Sequence, residues 1–162
     1  MRRLAPAAAF AGALVVAGIA QAQGVSFGPP GRVPRAQDSD IGAKTTGDPP
    51  LDYVLHCQGC HQAGGVGLPG AVPQLKDSVA RFASIPGGRE YLSRVPGVAQ
   101  SQLDDAAIAA LLNWLLPYFD AAHLPAGFQP FTADEVGPLR KKPLVGASVV
   151  RASLLASAGS SH

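Results

Sequence analysis

Cys57-Gln58-Gly59-Cys60-His61 is the stretch on which the reading of this chain turns. The spacing C-x-x-C-H is that of a c-type haem attachment site. Two thiols that add across the two vinyl groups of one haem must stand a few residues apart on one turn of chain. An imidazole that follows at once reaches the iron from the same side, so the cofactor cannot dissociate and one axial position is filled. A bare C-x-x-C also suits a redox dithiol, a structural disulfide or half of a zinc site. The sequence holds only two cysteines, so no second pair completes a four-cysteine zinc site. The redox reading expects a preceding strand and a βαβ pattern, and neither is found. Cys57 and Cys60 are therefore the candidate covalent attachment points of one haem c, and His61 is the candidate proximal iron ligand.

Working outward, the chain begins with Arg2-Arg3 and an apolar run of small residues from Leu4 to Ala20, followed by Ala20-Gln21-Ala22. A basic start, an apolar middle and an A-x-A site make a cleaved secretory signal over residues 1–22, in preference to a retained membrane anchor. Export to the periplasm follows, and a covalent cofactor suits a chain that crosses the membrane unfolded. The 162 residues carry 13 basic and 11 acidic side chains. Two of the basic ones fall in the signal, so the mature chain is near neutral and gives no footing to nucleic acid. No second long apolar run exists, so no membrane span is expected in the mature chain.

Residues 23–49 are rich in glycine, proline and small polar residues and read as a flexible leader. Pro49-Pro50 opens a helix that carries Leu51, Val54 and Leu55 at helical spacing and runs into the motif. His56 is read as a partly exposed helix residue. Residues 62–75 read as a glycine-rich loop that passes close to a flat cofactor. In that loop the Pro73 carbonyl is the candidate acceptor for the second ring nitrogen of His61. Residues 77–93 suggest two short helical pieces divided at Pro86-Gly87-Gly88, with Phe82 and Ile85 as candidate pocket residues. Arg81, Arg89 and Arg94 are candidate partners for a haem propionate. The clearest helix covers 104–119, with Asp104 as N-cap and Ile108, Leu111, Leu112, Leu115 and Phe119 on one face. Pro117 is expected to end or kink it. Beyond it lie an extended strap anchored by Phe128 and Phe131, and a short helix opened by the capping box Thr132-Ala133-Asp134-Glu135. That helix should reach Lys142 at most, and a weak helix follows from Val149 to Ala156 before a frayed end.

Residues 50–119 resemble a small class I c-type cytochrome. The resemblance rests on the helix before Cys57-Gln58-Gly59-Cys60-His61, the Gly64–Gly67 loop, Val72-Pro73-Gln74-Leu75, and a C-terminal helix opening on Leu103-Asp104-Asp105. It implies an all-α, cytochrome c-like helical domain around one covalent haem, in which the first and last helices cross. It implies covalent attachment at Cys57 and Cys60, proximal ligation by His61, and a Pro73 carbonyl that accepts the His61 N–H. Residues 120–162 lie outside it as a C-terminal extension.

The resemblance further implies a monohaem electron carrier rather than an enzyme, served by a redox partner protein, either a dehydrogenase or a terminal acceptor. In one place the chain departs from the family. A methionine usually gives the sixth iron ligand in a Met-Pro pair before the C-terminal helix, and here that place reads Arg94-Val95-Pro96-Gly97. The only methionine in the chain is Met1. His123 is a weak distal candidate, His162 and Lys76 weaker ones. A missing methionine should lower the reduction potential. The alternative function is a haem protein whose open sixth position binds a small ligand or reduces peroxide.

Overall fold

The computed structural model describes residues 45–159, so the expected signal at 1–22 and most of the expected leader at 23–49 lie outside the described residues. Helix α1 (Pro49–His56) begins on two prolines, which lack the N–H that a first helical turn leaves unpaired. Its start is tied down by Asp52, whose carboxylate accepts the Thr46 N–H (2.8 Å) and the Thr45 and Thr46 hydroxyls (2.8 and 2.9 Å). Burial pushes the Asp52 pKa up, but these hydrogen bonds and the nearby His56 outweigh it, and the net shift is downward. A carboxylate with a lowered folded pKa gives stability that is present above its unfolded pKa and lost as pH falls through the folded value. Acid unfolding is therefore expected to steepen below the ordinary carboxylate range. Asp52→Asn should flatten that part of a thermal-stability profile against pH; an unchanged acid limb would sink this assignment.

The buried face of α1 differs from the expected one. Asp52 and Tyr53 are buried, whereas Leu51, Val54 and Leu55 are exposed, Leu55 to 60%. The reason is aromatic packing. Tyr53 lies 5.1 Å from Phe119 and 5.8 Å from Trp114, and its hydroxyl donates to the Gln62 carbonyl at 2.6 Å. Burial, followed by the neighbouring Cys57 and Tyr118, pushes the Tyr53 phenol up to about 12, so it stays a donor.

The chain continues through α2 (Gln58–His61), a 3₁₀ turn (Val79–Ala83), α3 (Gly88–Arg94), α4 (Pro96–Ala99) and α5 (Asp105–Asp120). Among the described residues no strand forms; a lone bridge joins Leu68 and Val72. Helix α5 is the spine. Asp104 caps it by accepting the Ala107 N–H at 2.8 Å. All five residues of the expected stripe are buried, from Ile108 to Phe119, and α1 packs against this helix. Pro117 does not end α5, which runs on to Asp120. Its continuation is held from outside: the Asp77 N–H donates to the Phe119 carbonyl (2.9 Å), and buried Asp120 accepts the Ala80 N–H (2.8 Å).

After a second 3₁₀ turn (Ala121–His123) come α6 (Ala133–Arg140) and α7 (Ala147–Gly159). Thr132 caps α6 by accepting the Glu135 N–H at 3.2 Å, and the helix stops within the expected limit. Helix α7 runs past the expected Ala156 and includes Ser157–Gly159, where fraying was expected; only residues 160–162 lie outside the described ones at this end. The extension packs on the core: Phe131 and Val136 are buried with the residues of α5, and α6 lies against both α5 and α3. Arg89 of α3 grips it, with a two-pronged bond to Glu135 (2.6 Å each), a bond to the Gln129 carbonyl (2.7 Å), and its guanidinium 3.9 Å from the centre of the Phe131 ring.

Candidate functional site

The motif begins at Cys57, the residue that ends α1 and opens α2, and its other four residues make up α2. Helical bonds bridge the break at Cys57, where φ is −124°: the Cys57 N–H donates to the Tyr53 carbonyl (2.9 Å) and the His61 N–H to the Cys57 carbonyl (2.9 Å). Cys57 and Cys60 thus stand three residues apart on one helical turn, on the same side. Both are free thiols, Cys57 half-buried and Cys60 exposed. Burial, followed by the charges of Asp52 and Cys60, pushes the Cys57 thiol up to about 11.

A web of backbone bonds seats the following loop beneath the motif. Gln62 turns the chain with a positive φ of 62°, the Gly67 N–H donates to the His61 carbonyl (3.1 Å), and the Leu75 N–H donates to the Gly65 carbonyl (2.7 Å). This brings the Pro73 carbonyl 3.1 Å from Nδ1 of His61, the contact expected from the sequence. Nδ1–H donates, so Nε2 is the ring nitrogen left with a lone pair for a metal. Burial lowers the His61 pKa, and the bond to Pro73 partly offsets that, so the ring is held neutral as a metal ligand requires.

Gly67 is the position on which this loop depends. Its φ is +66°, and a Cβ there would stand 2.8 Å from the Pro73 carbonyl oxygen and closer still to that of Val72. Gly67→Ala is expected to cost about 1–3 kcal/mol through backbone strain and displacement of the carbonyl. A thermal melt of the holoprotein checks this, and a midpoint equal to wild type would refute it.

Other sequence candidates are placed elsewhere. Phe82 and Ile85 lie in the core, Phe82 stacked on Tyr91 at 4.8 Å. Arg89 is committed to Glu135, and Arg94 donates from Nε to the Lys142 carbonyl at 2.7 Å. His123 bonds through Nδ1 to buried Asp120, beside a hollow lined by Arg81, Ser84, Ile85 and Leu155 and by none of the motif residues. Sequence reasoning missed Arg140 and Asp120, buried ionic anchors that carry no local pattern. It also missed the orphan Nε2 of His56, which is buried without a partner next to Cys57.

The donor set fits a covalent haem: two unpaired thiols on one turn, an oriented neutral imidazole, and a loop whose glycines let backbone approach closely. No family model matches this chain. Two curated relatives do. Cytochrome c-552 of Thermus thermophilus is 41% identical over 112 residues, covering 58% of this chain and 86% of the relative. A second cytochrome c-552, from a particular strain of the same organism, is also 41% identical over 112 residues, covering 58% of this chain and 76% of its own length. With its helical fold, its motif and these relatives, the chain belongs to the small monohaem class I c-type cytochromes, electron carriers built on one covalently bound haem c.

Proposed function

We propose that this cytochrome is an exported, periplasmic electron carrier, a soluble shuttle or the cytochrome subunit of a dehydrogenase. Its haem is attached at Cys57 and Cys60 and ligated by His61. The observation that carries the ligand assignment is the 3.1 Å contact of His61 Nδ1 with the Pro73 carbonyl, which orients the ring and frees Nε2. When bound, the haem supplies a one-electron ferric–ferrous couple. The chain's own residues do the rest. Tyr53 and Gln62 lock α1 to the turn after the motif, and Gly67 lets the loop close on it.

Export rests on the signal reading of residues 1–22. Among the described residues, no helix is long and apolar enough to cross a membrane. The division into residues 1–22, 23–49, 50–119 and 120–162 is proposed on the same grounds, with the last segment bracing the haem domain. The test is intact mass of the protein from the periplasmic fraction of a host that matures c-type cytochromes. The expected mass is residues 23–162 plus one haem. A full-length, haem-free chain in the cytoplasmic fraction would sink both export and attachment. His61→Ala should abolish the wild-type visible spectrum while the thioethers survive; an unchanged spectrum would refute the ligand assignment.

A further inference from the structure

We propose that the iron of this cytochrome keeps an exchangeable sixth position that takes a neutral diatomic ligand of the carbon monoxide and nitric oxide class. The inference rests on the reading above, with haem at Cys57 and Cys60 and His61 on one face.

The side chains that serve as axial haem ligands carry sulfur, imidazole or phenolate donors. The chain has one methionine, Met1, inside the proposed signal, and its two cysteines are both in the motif. Three histidines remain besides His61. His56 lies five residues before His61 on the same nearly continuous helical stretch, next to a thioether position. Five residues of helix rise only about 7.5 Å. A segment pinned to one side of the ring by Cys57 and His61 cannot also send His56 round the edge to the opposite face. His123 keeps a free Nε2 but is anchored in another place: its Nδ1 bonds to Asp120, which is buried and is itself fixed by the Ala80 N–H at 2.8 Å. The hollow beside it contains no motif residue. His162 lies outside the described residues and enters the test.

The phenols are placed away from an axial role. Tyr53 donates to Gln62 and is pushed up to about 12; Tyr91 is buried against Phe82, with its pKa raised by that burial; Tyr118 lies on the outer face of α5, 63% exposed, with its ring stacked on Trp114 at 4.5 Å. Lys76, Lys141 and Lys142 are exposed, and an ammonium group has no lone pair to give.

The segment between α3 and α5 could not swing a donor inward even if it moved, because Val95-Pro96-Gly97-Val98-Ala99 contains none. It is also braced. Arg94 donates from Nε to the Lys142 carbonyl (2.7 Å), and the Arg94 carbonyl accepts the Leu144 N–H (2.9 Å). Val95 and Val98 are half-buried against the core. Among the described residues, axial donors are thus absent or tied elsewhere, and the iron exchanges its sixth ligand with solution. A neutral diatomic molecule donates a lone pair to ferrous iron without carrying a charge that the site would have to strip of water.

The test uses the mature holoprotein. A pyridine haemochrome assay first reports covalent haem; its failure would bring down the attachment reading, and this inference with it. With haem present, ferric electron paramagnetic resonance and carbon monoxide titration of the dithionite-reduced protein decide. The expected result is a high-spin ferric signal and a shift of the whole Soret band, saturating at one carbon monoxide per haem. A low-spin ferric signal, whether or not carbon monoxide slowly displaces the ligand, overturns the proposal. His123→Gln and His162→Ala are expected to leave both spectra as in wild type. Conversion from low to high spin in either variant would name that histidine as the ligand and overturn the proposal as well.

Discussion

Cys57→Ala combined with Cys60→Ala is expected to abolish covalent haem and to leave the half of the domain around the motif unfolded. Across the whole stretch from Val54 to Ser78 no apolar side chain is fully buried; the core begins with Tyr53, skips this region and resumes at Val79. The loop is held by backbone bonds and by its glycines, with Cys57 and Leu75 only partly buried. Such a segment gains little from apolar burial, while ordering each residue costs about 1–2 kcal/mol in backbone entropy. A covalent haem supplies the missing apolar body and removes freedom from the unfolded chain. Without it, the balance for residues 54–78 turns unfavourable. The measurements are a haem-stained denaturing gel, which should lose its band entirely, and limited proteolysis, which should cut within 54–78. A haem-free variant with the wild-type circular dichroism, melting transition and protease resistance would contradict the argument.

The parts of the fold legible in the sequence were those with a local signal. The α5 stripe, the Asp104 cap, the division at Pro86-Gly87-Gly88 and the Thr132 capping box each depend on spacing within one or two turns, and each is found in place. The contact between His61 and Pro73 was legible because a motif histidine needs an acceptor and the loop length allows one. The buried face of α1 was not. Leu51, Val54 and Leu55 carry the helical period, but Tyr53 wins the interior because α5 presents Trp114 and Phe119 to it. The run of α5 through Pro117 was hidden for a similar reason: proline removes one N–H, while Asp77 and Ala80 supply bonds from distant chain. Long-range polar anchors leave no period to read, and Arg140 is the clearest of them.

Arg140→Ala is expected to destabilise the holoprotein by about 2–4 kcal/mol, because it leaves one buried and one part-buried carbonyl group without the charged donor that satisfies them. Arg140 opens the basic run Arg140-Lys141-Lys142 at the end of α6, where cations favour the helix dipole. The structure buries it. Its guanidinium donates to the Leu103 carbonyl (2.6 Å) and the Ser101 carbonyl (2.6 Å), and more loosely to Asp105 (3.3 Å). Those carbonyls belong to the turn that leads into α5, so one side chain from the extension fixes the entry of the spine helix. The Asp105 contact contributes little, since its carboxylate is 43% exposed and screened by water. The two carbonyl bonds decide the magnitude. Arg140→Lys should recover only a minor part of the loss, since an ammonium on a flexible stem cannot span two carbonyls as a planar fork does. Lys142→Ala, which removes an exposed side chain and leaves the backbone carbonyl on Arg94 intact, should stay within about 0.5 kcal/mol of wild type. Denaturant unfolding followed at the Soret band measures all three. If Arg140→Ala matched Lys142→Ala, α6 would be an appendage rather than a brace for the haem domain.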